Sequence, residues 1–131
     1  MFPVQKIPAH KIREALIARA NYRADIQTFF RERGVVEVVT PHKLKATGTD
    51  IHLIPFTGQN SSGERWFLHT SPEFEMKRLL ADGSGDIFQI CQVFRDEEVG
   101  RWHRPEFSLL EWYREGMTLF DLETEVSALL E

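Results

Sequence analysis

The spacing of apolar residues predicts three helices. Residues 10–33 contain no glycine or proline, and their apolar side chains recur at helical spacing, which indicates one long amphipathic helix. A second helix is predicted from Pro72, which suits the first helical position, to about Ala81, with Ser71 as its cap. A third follows Thr118, which forms a capping-box pattern with Asp121, and its apolar stripe runs to the last residues.

The segments between these helices have the composition of strands and turns. Residues 35–40 are rich in valine and predict a buried strand that stops at Pro41, because proline cannot donate to a sheet ladder. Residues 42–50 are predicted to be a loop and residues 57–63 a turn. Further strands are predicted over residues 52–55, 65–69, 86–95 and 105–115. This order of elements favours an α+β fold in which a mostly antiparallel sheet is flanked by helices.

Length and composition agree with one globular domain. A chain of 131 residues fits a single domain and buries about two-thirds of the surface of its unfolded form, so it needs no disulfide or metal to build a core. Its one cysteine, Cys91, excludes an internal disulfide and favours a reducing compartment. The sequence shows neither an apolar leader nor a membrane-spanning stretch, and we therefore expect a cytoplasmic protein.

Charge is distributed unevenly along the chain. Residues 1–45 contain nine lysines and arginines and four acids, whereas residues 46–131 contain seven and sixteen. The acidic part disfavours generic binding of a phosphate backbone and favours a cationic substrate. The basic part is compatible with a nucleic-acid contact, but a solvated helix face is the simpler explanation.

The densest polar cluster lies in the last predicted hairpin. Because side chains alternate along a strand, Arg95 and Glu97 share one face of the first arm. Phe107, Glu111 and Tyr113 share one face of the second arm. Acids within an otherwise apolar face need partners, and the ammonium group of a ligand is one. A purely structural hairpin with surface charges is the alternative.

No metal site and no nucleophilic triad are predicted. The histidines and the cysteine lack the spacing of zinc ligands, and Cys91 is most simply explained as a core residue. Ser71 is better explained as a helix cap than as a nucleophile. The histidines considered are His42, His52, His69 and His103.

Three ordered motifs resemble those of class II aminoacyl-tRNA synthetases, in their lysine-specific form. Residues 93–113 resemble the second signature motif, and residues 70–79 are similar to the amino-acid-binding segment that precedes it. Residues 26–41 resemble the first motif, which forms a dimer interface in that family. The residues that carry the likeness are Phe94-Arg95-Asp96-Glu97, His103-Arg104-Pro105-Glu106-Phe107, Thr70-Ser71-Pro72-Glu73 and Gly34-Val35-Val36-Glu37.

The resemblance implies that residues 1–131 are the N-terminal portion of a synthetase-like catalytic domain that forms a homodimer. Within the family, residues 97–103 and 110–114 are most similar to the elongation factor P lysine ligases, paralogues of lysyl-tRNA synthetase. The chain begins shortly before the helix of the first motif, so we expect no anticodon-binding domain. The implied activity is ATP-dependent activation of lysine or (R)-β-lysine as an aminoacyl adenylate, followed by transfer to a lysine of elongation factor P.

Two alternatives to this activity stay open. One is a lysyl-tRNA synthetase fragment, with tRNA as acceptor, and the other is a non-catalytic module that binds amino acid, nucleotide or a partner. No segment after Tyr113 resembles the third motif, whose arginine holds the far end of ATP and whose neighbouring acids bind Mg²⁺ in the family. We therefore expect the domain to be incomplete at the C-terminus and this chain to be inactive alone.

The resemblance also implies roles for residues around ATP. Arg95 would be the catalytic residue that bridges the α-phosphate and the substrate carboxylate, since a guanidinium can hold two anions and stabilise charge developing at phosphorus. Glu97 would accept a hydrogen bond from the adenine amino group, and Phe107 would stack on the ring. His103 and Arg104 would lie near the triphosphate.

The ammonium end of the substrate would be received by another group of residues. Glu73, Glu111 and Tyr113 would bind it, and Ser71 and Pro72 would shape the wall of the site.

Two positions of the second motif depart from the family, which usually has asparagine at both. Asp96 places a carboxylate beside Arg95 and would weaken binding of anionic ATP, whereas Arg104 adds a cation that could compensate. A solvated loop arginine is an equally good explanation of Arg104.

Overall fold

The computed structural model describes residues 8–96 and 100–131 and contains three helices and two small sheets. The mixed α and β content agrees with the predicted fold class. In chain order the elements are α1 (Ala9–Glu32), β1 (Val36–Glu37), β2 (Lys43–Leu44), β3 (Thr57–Gln59), β4 (Arg65–Leu68), α2 (Glu73–Ala81), β5 (Ile87–Phe94), β6 (Glu106–Tyr113) and α3 (Leu119–Leu130). No helix among the described residues is long and apolar enough to cross a membrane.

The strands are mostly antiparallel, as predicted. In the first sheet, of order β1-β5-β6, β5 and β6 pair antiparallel over their whole length, and β1 pairs parallel with the start of β5. In the second sheet β4 lies between β2 and β3 and is antiparallel to both. Residues 69–72 join the second sheet to α2, and α2 leads on to β5 of the first sheet.

The main core forms between α1 and one face of the first sheet. The rings of Phe30 and Phe88 stack with their centroids 4.7 Å apart, and Ile26 and Val35 complete the buried cluster. Trp112 packs against it and donates a hydrogen bond from Nε1 to the buried α3 residue Glu125 (3.0 Å). Both α1 and α3 thus cover the same face of β5 and β6, and the opposite face carries the buried Ile87 and Val93 together with polar residues.

The long first helix is confirmed, but only its last part is covered by the rest of the chain. Within α1, Ile26 and Phe30 are buried, whereas Ile12, Leu16 and Ile17 are 45%, 63% and 49% exposed. The helix ends before Gly34, whose φ of 72° is a left-handed conformation that glycine adopts without a steric cost. The apolar stripe of the helix therefore continues beyond the core that it helps to build.

The prediction of a buried strand over residues 35–40 is wrong in both length and burial. Only Val36–Glu37 forms a strand, and Val36 and Val39 are 57% and 88% exposed. Among the described residues β1 is an edge strand, because it has β5 on one side and no strand on the other. Its pairing with β5 ends after the hydrogen bond from Val38 N–H to the Phe88 carbonyl (2.8 Å). A valine-rich composition indicates extended backbone but does not by itself determine how many sides are covered.

Smaller differences concern the segments before the hairpin. The predicted loop 42–50 contains β2, and the predicted turn 57–63 begins with β3. Residues 52–55 do not form a strand and contribute a single bridge, between Ile54 and Asp96. The capping box of the third helix is confirmed by reciprocal hydrogen bonds between Thr118 and Asp121.

Candidate functional site

The register of β5 and β6 determines which side chains share the open face of the first sheet. Glu111 lies opposite Gln89, Tyr113 opposite Ile87, and Phe107 opposite Val93. Directly opposite residues of an antiparallel pair point to the same side, and their neighbours along the strand point to the other. Phe88 and Trp112 belong to the core face. The polar residues predicted for the site therefore lie on the face opposite the core.

Glu111 and Tyr113 form a hydrogen-bonded pair on this face. The Tyr113 hydroxyl donates to Oε1 of Glu111 over 2.7 Å, and both side chains are half-buried. Burial raises the pKa of Glu111, the hydrogen bond from Tyr113 opposes this, and the negative charge of Glu73 adds to the rise. Burial and the adjacent carboxylate also raise the pKa of Tyr113. The pair thus presents an acceptor that lacks a full counter-charge, which suits a cationic ligand.

Glu73 stands at the first position of α2, next to this pair. Its carboxylate forms an ion pair with Lys77 one turn later, and its backbone N–H donates to Ser71 Oγ at 3.4 Å. Pro72 precedes it and is fully buried. Helix α2 begins one residue later than predicted, since Pro72, predicted as its first residue, is the N-cap. The residues predicted to bind the amino acid therefore comprise the Glu111–Tyr113 pair on β6, Glu73 at the start of α2, and the turn that precedes Glu73.

Arg95 is held between the hairpin and the amino-acid segment. Its Nε donates to the Thr70 carbonyl over 3.1 Å, and its backbone N–H donates to the Pro105 carbonyl over 2.8 Å. Its guanidinium carbon lies 5.0 Å from the centroid of the Phe107 ring, a cation–π distance. Arg95 therefore contacts both the predicted adenine-stacking residue and the segment that carries Ser71.

The site has two parts along the same two strands. Phe107 and Arg95 lie at one end of the hairpin, and Glu111 with Tyr113 lies toward the other. Glu111 lies four positions after Phe107, which corresponds to about 13 Å along a strand.

The loop before β6 places His103 and Arg104 next to Phe107. A cavity of about 270 Å³ is lined by Trp102, His103, Arg104 and Phe107. His103 and Arg104 are exposed, and the loop itself, residues 100–106, bounds a further space of about 690 Å³. The structure therefore brings both loop residues to the same cavity as Phe107, where they can meet an anionic group.

The two remaining predicted ATP contacts are Asp96 and Glu97. Asp96 is exposed, and its backbone N–H donates to the Ile54 carbonyl over 2.7 Å, which joins the hairpin to the segment before β3. Glu97 lies outside the described residues.

One polar residue on the site face was missed by the sequence analysis. Gln89 is 2% exposed, accepts a hydrogen bond from Thr40 (Oγ1 to Oε1, 3.0 Å), and its Nε2 has no hydrogen-bond partner among the described residues. It lies opposite Glu111 in the sheet. The signal was present, because a glutamine interrupts the apolar alternate positions Ile87, Cys91 and Val93 of one strand face.

The described residues contain no group of three or more histidine, cysteine or acidic side chains that could hold a metal ion. The Mg²⁺ expected for the intact enzyme stays a prediction, and we assign it no step. Cys91 is buried, as predicted for a core residue, and burial raises the pKa of its thiol to about 11. His42 and His69 stack with ring centroids 4.7 Å apart, and His69 Nε2 lies 2.7 Å from the Gln92 carbonyl.

Comparison with known protein families gives a match over nearly the whole chain. A family model described as tRNA synthetases class II (D, K and N) matches residues 4–131. The match includes α1, both sheets and every residue of the two-part site.

Proposed function

The chain belongs to the class II tRNA synthetase family (D, K and N), and we propose that its site activates lysine or (R)-β-lysine with ATP and passes the aminoacyl group to a lysine of elongation factor P. The chain is therefore a member of a family of ligases. The amino acid and the acceptor are our own inference, argued from the site and from the second-motif residues.

The first step joins the amino acid to ATP. A carboxylate oxygen attacks the α-phosphorus, the bond to the β-phosphate breaks, and pyrophosphate leaves. Arg95 is the residue suited to this step, because its guanidinium can contact both anions and offset the charge that develops at phosphorus. Its contacts with Thr70 and Phe107 fix it before the substrates arrive, which reduces the reorganisation needed during reaction.

The observation that carries the choice of a lysine-like substrate is the half-buried Glu111–Tyr113 pair. A raised carboxyl pKa shows that ionised Glu111 is poorly compensated, and a substrate ammonium would supply the missing charge. Glu73 would add a second carboxylate by sharing its interaction with Lys77. Aspartate and asparagine, the other amino acids of the family description, have an α-ammonium group but no side-chain ammonium.

In the second step the ε-amino group of the acceptor lysine attacks the acyl carbon, AMP leaves, and an amide forms. Elongation factor P is proposed as acceptor because residues 97–103 and 110–114 resemble the ligases that modify it. The family description favours tRNA as the competing acceptor. Since elongation factor P and tRNA are both components of translation, we propose that the reaction takes place in the cytoplasm.

We also propose that the protein acts as a homodimer through α1 and β1. The exposed apolar residues of α1, together with Val36 and Val39 at the edge of the first sheet, offer a self-complementary apolar surface. A monomer mass that stays constant over a wide concentration range would contradict this assembly for the chain.

Binding of stable adenylate mimics tests the amino-acid assignment without requiring turnover. Calorimetry with the lysyl, aspartyl and asparaginyl sulfamoyl adenosines should give the tightest binding for the lysyl compound. A preference for the aspartyl compound would contradict the ammonium receptor, and absence of binding to all three would favour a non-catalytic module. Incubation of an active form of the enzyme with ATP, labelled (R)-β-lysine and either elongation factor P or tRNA then identifies the acceptor.

A further inference from the structure

A second polar cavity lies on the second sheet, apart from every residue assigned to ATP or to the amino acid. Its volume is about 310 Å³, and its lining includes Lys43, Lys45, Glu64, Arg65 and Trp66. We call these five residues the Trp66 groove. Its residues come from β2, from β4, and from the segments next to these strands.

Trp66 is positioned by the strand beside it. Trp66 lies opposite Gly58, and a Cβ atom at Gly58 would come within 2.2 Å of the indole ring. Any larger residue at this position would displace the ring, so the glycine allows the indole to lie across β3. The ring is half-buried, which leaves a fixed aromatic surface at the centre of the groove.

The cations of the groove are not neutralised within the described part of the chain. Lys43, Lys45 and Arg65 are exposed, and none of them forms an ion pair with a described carboxylate. Lys43 Nζ lies 5.3 Å from the Trp66 ring centroid. The one acid, Glu64, accepts a hydrogen bond from the Asn60 amide (2.7 Å). The groove thus carries a local positive charge on a chain whose net charge is -4.

We propose that the Trp66 groove docks an acidic segment of the acceptor protein, with Trp66 as the apolar anchor. The acceptor's identity rests on the proposed function, but the groove itself does not. The groove would attract an acidic segment by charge complementarity and hold it while the acceptor lysine reaches the aminoacyl group. Tryptophan and arginine are the residue types most often found at interface hot spots.

Association kinetics test the charge contribution. We would measure binding of fluorescently labelled elongation factor P to the 131-residue chain, without ATP or amino acid, at several salt concentrations. Lys43→Gln and Lys45→Gln should each lower the association rate several-fold at low salt, and the difference should vanish at high salt. Lys11→Gln, which removes the same charge from exposed α1, is the matched control and should change the rate little.

The anchor is tested by Trp66→Leu, which should raise the dissociation rate at least tenfold, whereas Trp66→Phe should raise it less. Circular dichroism checks that each variant is folded, and if Trp66→Leu is not, the two lysine variants carry the test. Equal effects of Lys11→Gln and Lys43→Gln, or absence of binding at low salt, would overturn the proposal. So would stronger displacement by an oligouridine than by a polyglutamate peptide of equal charge, because it would indicate a nucleic-acid surface.

Failure of docking and failure of the proposed function give different results. Adenylate-mimic binding is measured without the acceptor, and docking is measured without the mimic. Since the groove residues are outside the two-part site, Lys43→Gln and Lys45→Gln should leave affinity for the lysyl mimic unchanged.

Discussion

The two faces of the β5–β6 hairpin differ in what their residues do, although they alternate along the same strands. One face carries Phe88 and Trp112, which pack on Phe30 and stabilise the domain. The other carries Glu111 and Tyr113, a half-buried polar pair whose raised carboxyl pKa is unfavourable for the ionised state. We expect Phe88 and Trp112 to affect stability, and Glu111 and Tyr113 to affect ligand binding.

The largest effect is expected on the core face. Phe30→Ala removes a fully buried ring stacked on Phe88, and we expect the free energy of unfolding to fall by about 3–5 kcal/mol. Urea denaturation measures this. Phe120→Ala, at a residue that is 76% exposed, is the control and should change stability by less than about 0.5 kcal/mol. Similar losses for the two variants would contradict the assignment of the core.

Arg95→Ala should have the next largest effect, on chemistry rather than stability. Loss of one electrostatic contact to the reacting phosphate typically lowers the rate by roughly 10² to 10³. Pyrophosphate exchange in an active form of the enzyme measures this, with Arg78→Ala as control, since Arg78 is an exposed arginine paired with Glu75 on α2. Near-normal exchange by the Arg95 variant would remove it from the catalytic role.

Tyr113→Phe should be milder. It removes one hydrogen bond to Glu111, which is worth about 0.5–1.5 kcal/mol, and the loss should appear as a weaker affinity for lysine. Calorimetry with lysine and with ATP separates the two ligands. An effect confined to ATP would contradict the placement of Tyr113 at the ammonium end.

The smallest predicted effect is a pH dependence of stability from His69. Burial lowers the pKa of this histidine, and the nearby His42 adds to the shift. The folded state therefore binds a proton less readily than the unfolded state, so this contribution is fully present above about pH 6.5 and is lost as the pH falls below it. Urea denaturation between pH 5 and 8, compared for the wild type and His69→Gln, should show a flatter profile for the variant. A steeper profile would contradict the sign.

The sequence predicted the elements whose signals are local. Residues 10–33, the hairpin strands and the Thr118 capping box follow from helical spacing, alternation and capping chemistry, and each is present within one or two residues. The burial of residues 35–40 was not predictable, because the edge position of β1 depends on which strands lie beside it. Similarly, the exposed N-terminal half of α1 has the same pattern as a covered helix.

For the candidate site, sequence pattern placed Glu111 and Tyr113 on one strand face, and the register agrees with that placement. Sequence did not predict that Arg95 would contact Thr70, because this contact depends on how the segment before α2 lies against the hairpin. Gln89 was missed because a single glutamine in a strand is usually explained by solvent exposure, and only the structure shows it buried.

The most direct test of the separation between the two faces is the variant Glu111→Gln. The substitution keeps the shape and the acceptor for Tyr113 but removes the charge. Because the raised pKa of Glu111 means that its ionised form destabilises the folded state above that pKa, urea denaturation at pH 7 should show stability that is unchanged or increased. Calorimetry should show at least tenfold weaker binding of the lysyl adenylate mimic. A clear loss of stability with normal affinity for the mimic would contradict the assignment of this face to substrate binding.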